Sequence, residues 1–362
     1  MSAPLTLPRV SVVMSVRNAE RFVAQAVESI LTQTMSDLEF IVVDNASSDR
    51  TPEILATFAR GDARLRMRRT DADVGLAAAL NLACEEAQGL LIARMDGDDV
   101  AMSGRLERQA ACLADHPLVA LVGGAAILID DTGKGYHARR PPTGGSDIRA
   151  SLVERNCIIS TVMMRRNALS RVGGYRARFT HAEDYDLWLR LAERYRLANL
   201  PDVVLHYRLH PGQVSHQALE QQVVSALAAQ AAARRRRAGI DEGPVDDRKI
   251  TWADLVELGI TEDAVRSALA KACLHRAADL CDLYRSSLAV ATLASTPGFT
   301  TSEEVRWHTL ARYHAVLARR RWSRGQLGGS LVSALRAVHA RPALLRRLAG
   351  RLIRPGRGPA AP

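Results

Sequence analysis

The feature that most constrains this chain is an alternation in its first hundred residues, where short apolar runs are separated by amphipathic stretches with helical spacing. Residues 10–16, VSVVMSV, read as a buried strand, and residues 21–33 place Phe22, Val23, Ala26, Val27, Ile30 and Leu31 at helical spacing. Residues 40–43 give a second strand, 52–60 a helix, 65–69 a weaker strand and 76–87 a third helix. Residues 90–95 form another strand that runs straight into acids. Parallel strands need crossover connections, and this β-α-β-α-β-α-β order supplies them, so the expected class is α/β with a mainly parallel sheet flanked by helices.

Further along, residues 120–130 predict a strand of a second, smaller sheet, and residues 139–146 a loop rich in Pro and Gly. Residues 184–195 predict a helix with Leu187, Trp188 and Leu191 on one face. From Gln217 the pattern is helical almost throughout, which sets a domain boundary near His216: a first domain over 1–216 and a helical, basic region over 217–362. A 362-residue chain with 47% hydrophobic content is long enough for about two such units.

The net charge is +10, yet no acid follows Glu304 while arginines recur to Arg357, so much of the excess sits in the tail. Aromatics are only 4%, too sparse for the stacking platforms of a nucleic-acid groove, and no nucleic-acid partner is expected. Residues 327–353 interleave Leu331, Leu335, Val338, Leu345 and Leu348 with arginines, a pattern either for a helix packed on the first domain with a solvated arginine face or for a basic helix on an anionic membrane surface, split by Pro342. No run reaches the roughly 18 apolar residues of a membrane-spanning helix, and the first residues lack a signal-peptide pattern. The five cysteines are scattered without a CxxC pair and read as reduced packing residues. The expected location is the cytoplasm, with contact at the inner face of the membrane.

Three polar clusters carry the chemistry. Asp44-Asn45-Ala46-Ser47-Ser48-Asp49 follows the second strand, at the sheet edge where ligands bind, and a carboxylate there can accept an imide N–H. An Asx-type turn capping the helix at Pro52 is the plainer alternative. Asp96-Gly97-Asp98-Asp99 sets three carboxylates within four positions, a costly repulsion unless a cation or donors neutralise it. Hard oxygen ligands of this kind suit magnesium or manganese bridging to phosphate. Glu183-Asp184 opens a helix, where an acid is commonly a cap but can also take a proton from a hydroxyl.

Taken in order, SVVMSVRNAE, SILTQT, VDNASSDRT, GLAAALNLACEEAQG, ARMDGDD with GRLERQ, EDYDLWLRL and YRLHPGQVS resemble the family 2 inverting glycosyltransferases of the GT-A fold, over about residues 9–215. The resemblance implies that Asp44 binds the nucleobase of a nucleotide-sugar donor, UDP-linked above all. It implies further that Asp96 and Asp98 hold the diphosphate through Mn²⁺ or Mg²⁺ and that Asp184 is the catalytic base. Arg94 would lie close to the donor, Asn81 would support its pocket, and His210 would contact metal or phosphate, as Arg208 would. Arg17 stands where the family often has a stacking tyrosine, and a planar guanidinium can also stack. Ser15 and Cys157 replace common prolines.

The implied activity is inverting transfer of a hexose to a hydroxyl of a saccharide or lipid-linked acceptor, in polysaccharide biosynthesis of the cell envelope. Two other readings are a binding protein that keeps donor affinity without transfer, and a nucleotidyltransferase. The second would carry a Gly-rich basic loop after strand one, where this chain has Ser15-Val16-Arg17-Asn18-Ala19-Glu20.

Overall fold

The computed structural model describes residues 9–210, 212–213, 218–243, 248–269 and 271–272, with the single positions 328 and 332. Strand β1 (Val10–Val16) pairs in parallel with β2 (Leu38–Asp44) on one side and β4 (Leu91–Asp96) on the other, and β3 (Leu65–Arg69) continues the parallel set beyond β2. Parallel strands covered on both faces must be apolar throughout. Val12, Val13, Met14, Phe40, Ile41, Val42 and Val43 are accordingly wholly buried.

The covering helices are α1 (Val23–Leu31), α2 (Thr51–Gly61) and α3 (Leu76–Glu86). Helix α1 turns Val23, Ala26, Val27 and Ile30 inward, the face that its apolar spacing predicts.

The strand expected in a second sheet belongs to the first one. Strand β8 (Met163–Arg165) is antiparallel both to β4 and to β6 (Val119–Ile129), and so joins the two halves. Strand β6 pairs in parallel with β9 (Arg196–Arg208), while β7 (Gly135–Arg139) lies against β6 and β5 (Val100–Ala101) against β9. The result is one nine-stranded sheet in the order β3-β2-β1-β4-β8-β6-β9-β5, with β7 off this path. The sequence pattern missed the junction because three residues are too few to show a period. It missed β9 because Pro201 and Asp202 interrupt its apolar residues.

Helices α4 (Arg105–Asp115), α5 (Gly145–Glu154), α6 (Arg166–Arg171) and α7 (Glu183–Arg194) complete this region, and α8 (Leu219–Arg237) packs on α7. Gln230 of α8 donates to the Tyr185 hydroxyl at 3.0 Å, and Arg236 pairs with Glu193 at 2.8 Å. The first compact unit therefore runs past His216 to Thr261, including α9 (Trp252–Glu257), and a second unit covers residues 262–362. Among the described residues no helix is long and apolar enough to cross a membrane. The basic amphipathic segment 327–353 lies outside the described residues, apart from positions 328 and 332.

At the opposite end of the strands from the acids, Glu39 Oε1 accepts from the Ser11 hydroxyl at 2.6 Å and from the Gln88 N–H at 2.7 Å, while the Gly89 N–H reaches Ser11 Oγ at 2.8 Å. A Cβ on Gly89 would stand 2.7 Å from the backbone nitrogen and the hydroxyl of Ser11. Gly89→Ala is therefore expected to cost about 1–3 kcal/mol, the usual range for overpacking. A chemical-denaturation midpoint equal to the parent's would contradict this.

Candidate active site

In register, Val16 pairs with Asp44 and Ser15 with Asp96, so β1, β2 and β4 end together. Asp44 is the last residue of β2 and is fully buried. Its Oδ1 accepts the Ser47 N–H at 3.2 Å, whereas Oδ2 lies 3.3 Å from Arg69 Nε without making a hydrogen bond. A buried carboxylate oxygen without a donor is costly, and it marks a place where a ligand N–H would be stabilised.

The surrounding turn is built by Asn18 and Ala46 in the left-handed region, at φ 50° and 53°. Asn18 Oδ1 accepts the Ser48 N–H at 2.8 Å, and Ser47 Oγ accepts the Asn18 N–H at 2.9 Å.

The loop after β4 divides its three carboxylates among different partners. Asp96 accepts from Arg94 Nη2 at 3.0 Å through Oδ1 and from the Ser160 hydroxyl through Oδ2. Asp98 Oδ2 lies 3.1 Å from His210 Nε2. Asp99 is buried, with Oδ1 on the Arg208 N–H at 2.8 Å and Oδ2 without a hydrogen bond. Burial, and then Asp98 and Asp96, raise the Asp99 carboxyl well above its ordinary range.

Two buried arginines hold this loop's backbone. Arg208 donates to Asp98 O at 2.7 Å, Asp130 O at 3.0 Å and Gln25 Oε1 at 2.6 Å. Arg105 donates to Arg94 O at 2.6 Å, and burial pushes its guanidinium down to about 9. The Phe22 ring lies 4.8 Å from that of His210 and 4.7 Å from the Arg208 guanidinium.

Helix α7 brings the third cluster to the same edge. Arg94, almost fully buried, sets Nη1 4.0 Å from Asp184 Oδ2 while its other nitrogens hold Asp96. Burial opposes its charge, but Asp96 and Asp184 raise its pKa above the ordinary value. The Asp184 side chain keeps 19% exposure. Burial raises its pKa, with Arg94 working in the opposite direction. Glu183 points inward, and burial together with Asp184 pushes its carboxyl up to about 7. The helix start is anchored by buried Asp186, which takes Arg190 at 2.8 Å and also Arg176.

Comparison with known proteins gives this arrangement its relatives. Residues 11–173 match the model of glycosyl transferase family 2. The O-antigen biosynthesis glycosyltransferase WbnJ of Escherichia coli is 32% identical over 210 residues, which is 56% of this chain and 81% of WbnJ. The chain belongs to glycosyltransferase family 2.

Among solved structures, the mannosyltransferase PcManGT from Pyrobaculum calidifontis, in complex with GDP-Man and Mn²⁺, superposes with a TM-score of 0.51 at 21% identity, covering 92% of this chain and 88% of that one. TarS 1-349 from S. aureus, in complex with UDP-GlcNAc, gives a TM-score of 0.52 at 14% identity, covering 94% and 92%. The fold is GT-A, as the order of motifs implied.

The transferase thus gathers Asp44, Arg94, Asp96, Asp98, Asp184 and His210 along one edge. Asn81 stands behind it: its Nδ2 donates to Tyr175 O at 2.8 Å and its Oδ1 accepts the Tyr175 N–H at 2.9 Å. It bears on the site through Tyr175, whose ring centre is 5.9 Å from the Arg94 guanidinium. Arg17 is tied to Asp73 at the mouth of the Asp44 turn. Arg208, expected near phosphate, is spent on the carbonyls and side chain already named. Cys157 is a buried packing residue whose thiol burial raises.

Asp73, Ser160 and Tyr175 were not found from sequence, because a lone polar residue between elements carries no periodic signal. Among the described residues, no group of three His, Cys, Asp or Glu side chains converges to hold a metal by itself.

The buried Glu183 gives a stability signature. Its folded-state pKa of about 7 lies above the ordinary 4.5, so the folded form holds the proton more tightly than the unfolded chain does. That stability is complete below about pH 4.5 and is lost as pH rises through 7, a loss of about 3 kcal/mol. Glu183→Gln is expected to melt higher than the parent at pH 8 and to lose that advantage at pH 5. Equal melting differences at both pH values would show that Glu183 titrates normally.

Proposed function

We propose that this family 2 transferase is an inverting hexosyltransferase, which moves a sugar from a UDP-hexose to a hydroxyl of a saccharide or lipid-linked acceptor. The observation that carries the reading is Asp184. It is a partly open carboxylate at a rigid helix start, linked through Arg94 to Asp96 on the loop after β4. The names of WbnJ, an O-antigen enzyme, and of TarS in complex with UDP-GlcNAc support polysaccharide assembly and a UDP donor.

In this scheme the unsatisfied Asp44 Oδ2 accepts the base N–H, and Arg17 lies against the base. Asp96 and Arg94 hold the ribose and diphosphate side of the donor. Asp184 removes the acceptor proton as the acceptor oxygen bonds to the anomeric carbon and the bond from that carbon to the diphosphate oxygen breaks. Attack from the face opposite the leaving group inverts the configuration. Arg94 holds Asp184 in place and keeps its proton affinity from rising further.

The donor set suits a divalent cation. Asp98 and His210 face each other as a carboxylate–imidazole pair beside Asp96, and with no third side chain converging, the remaining positions would fall to diphosphate oxygens and water. Mn²⁺ or Mg²⁺ bound there supplies neutralising charge for the leaving diphosphate. The structural neighbour PcManGT, in complex with Mn²⁺, supports this assignment. The arginine-rich segment 327–353 offers a route to a lipid-linked acceptor at an anionic membrane surface.

Asp184→Asn keeps the shape and removes the base, so donor affinity should be near normal while turnover falls by about 10²- to 10⁴-fold. Parent-like turnover would move the base elsewhere, with Glu183 the first candidate. For the parent enzyme, kcat/KM should fall as pH is lowered, with a midpoint above the ordinary aspartate range because burial raises Asp184.

Calorimetry addresses the metal. UDP should bind strongly in Mn²⁺ and weakly after chelation, and Asp98→Ala should remove the difference. Identical UDP affinity with and without metal would rule out the Asp98–His210 assignment.

A further inference from the structure

We infer that Asp73 is a positioning residue for the donor base, holding Arg17 as a strap across the slot in front of Asp44. The inference rests on the reading that Asp44 receives the base. Its starting point is the sheet order β3-β2-β1, which places the end of β2, and therefore Asp44, between the ends of β1 and β3. Arg17 directly follows β1, and Asp73 lies in the loop that leads from β3 to α3. Their ion pair therefore spans the end of the strand that carries Asp44.

The Asp73 carboxylate is fully committed to this arrangement. Oδ2 takes Arg17 Nη1, while Oδ1 accepts from Asn45 Nδ2 at 2.8 Å and from the Gly75 N–H at 2.9 Å. Asn45 returns the contact through Oδ1, which accepts the Val74 N–H at 2.9 Å. One carboxylate thus ties together the ends of β1 and β2 and the start of α3.

Arg17 and Asp73 nevertheless keep 51% and 41% side-chain exposure, so this cluster is not buried core. A guanidinium held at one end by a carboxylate keeps its flat face available, and a planar cation can stack on a base as an aromatic ring does. Without Asp73, the long Arg17 side chain would have to be ordered each time a base binds, an entropic cost.

The test is a double-mutant cycle read as UDP affinity by calorimetry in Mn²⁺, with circular dichroism melting to check the fold of each variant. Asp73→Ala should weaken UDP by about fivefold, the low end of what a base stack contributes. Arg17→Ala should weaken it by a similar factor, and the double variant by no more than either alone. Arg17→Tyr placed in the Asp73→Ala background should restore most of the affinity, because a phenol ring stacks without an ionic anchor.

Saturating kcat should change little in Asp73→Ala while the donor KM rises. Parent-like UDP affinity in both single variants would overturn the strap. So would additive losses, or a failure of Arg17→Tyr to rescue Asp73→Ala, since either would leave Asp73 as a loop brace only. If the parent binds neither UDP nor GDP in metal, the base-site reading itself fails.

Discussion

The site depends on one buried cation. Glu183, Asp184 and Asp96 converge from a helix start and a strand end, and carboxylates at such spacing repel one another in a poorly hydrated environment. The Arg94 guanidinium stands among them with two nitrogens on Asp96 and a third near Asp184. It also faces the Tyr175 ring, and Tyr175 is held from behind by Asn81. A helix in the first half of the chain thereby sets the position of the charge that lets the acids of two later elements share one edge.

The loop after β4 shows the same principle applied to backbone. Arg208 spends its guanidinium on the Asp98 and Asp130 carbonyls and on Gln25, while its own N–H serves Asp99. Arg105 binds the Arg94 carbonyl in β4, two residues before the loop begins. Two cations are thus buried close to the acids but directed mainly at carbonyl oxygens. This leaves Asp98 as the carboxylate of the loop whose side chain faces outward to His210.

Much of this was legible in the sequence, for identifiable reasons. The parallel core was readable because strands buried on both faces must be continuously apolar, as VSVVMSV and LEFIVVD are. The positions of Asp44, Asp96 and Asp98 at strand ends were readable from where the apolar runs stop, whereas Asp184, at a helix start where an acid is commonly a cap, stood out only through the order of motifs. Contacts between residues far apart in the chain were not readable. The pairing of Asp73 with Arg17, of Ser160 with Asp96 and of Asn81 with Tyr175 leaves no trace in local spacing. The single sheet was misjudged for a related reason, since its two halves meet through only three residues of β8.

That short junction has an effect on the whole architecture. Because β8 is antiparallel to both of its neighbours, two reversals bring β6 and β9 back into the direction of β4. The chain end of β9 consequently arrives on the same side as that of β4, which is how His210 meets Asp98 across 112 positions of sequence. The stretch from the end of β6 to the start of β8 begins and ends on adjacent strands. It can vary in length between β7 and α5 without moving the strand ends, but its last residues are not free to change, because the Ser160 hydroxyl is bonded to Asp96.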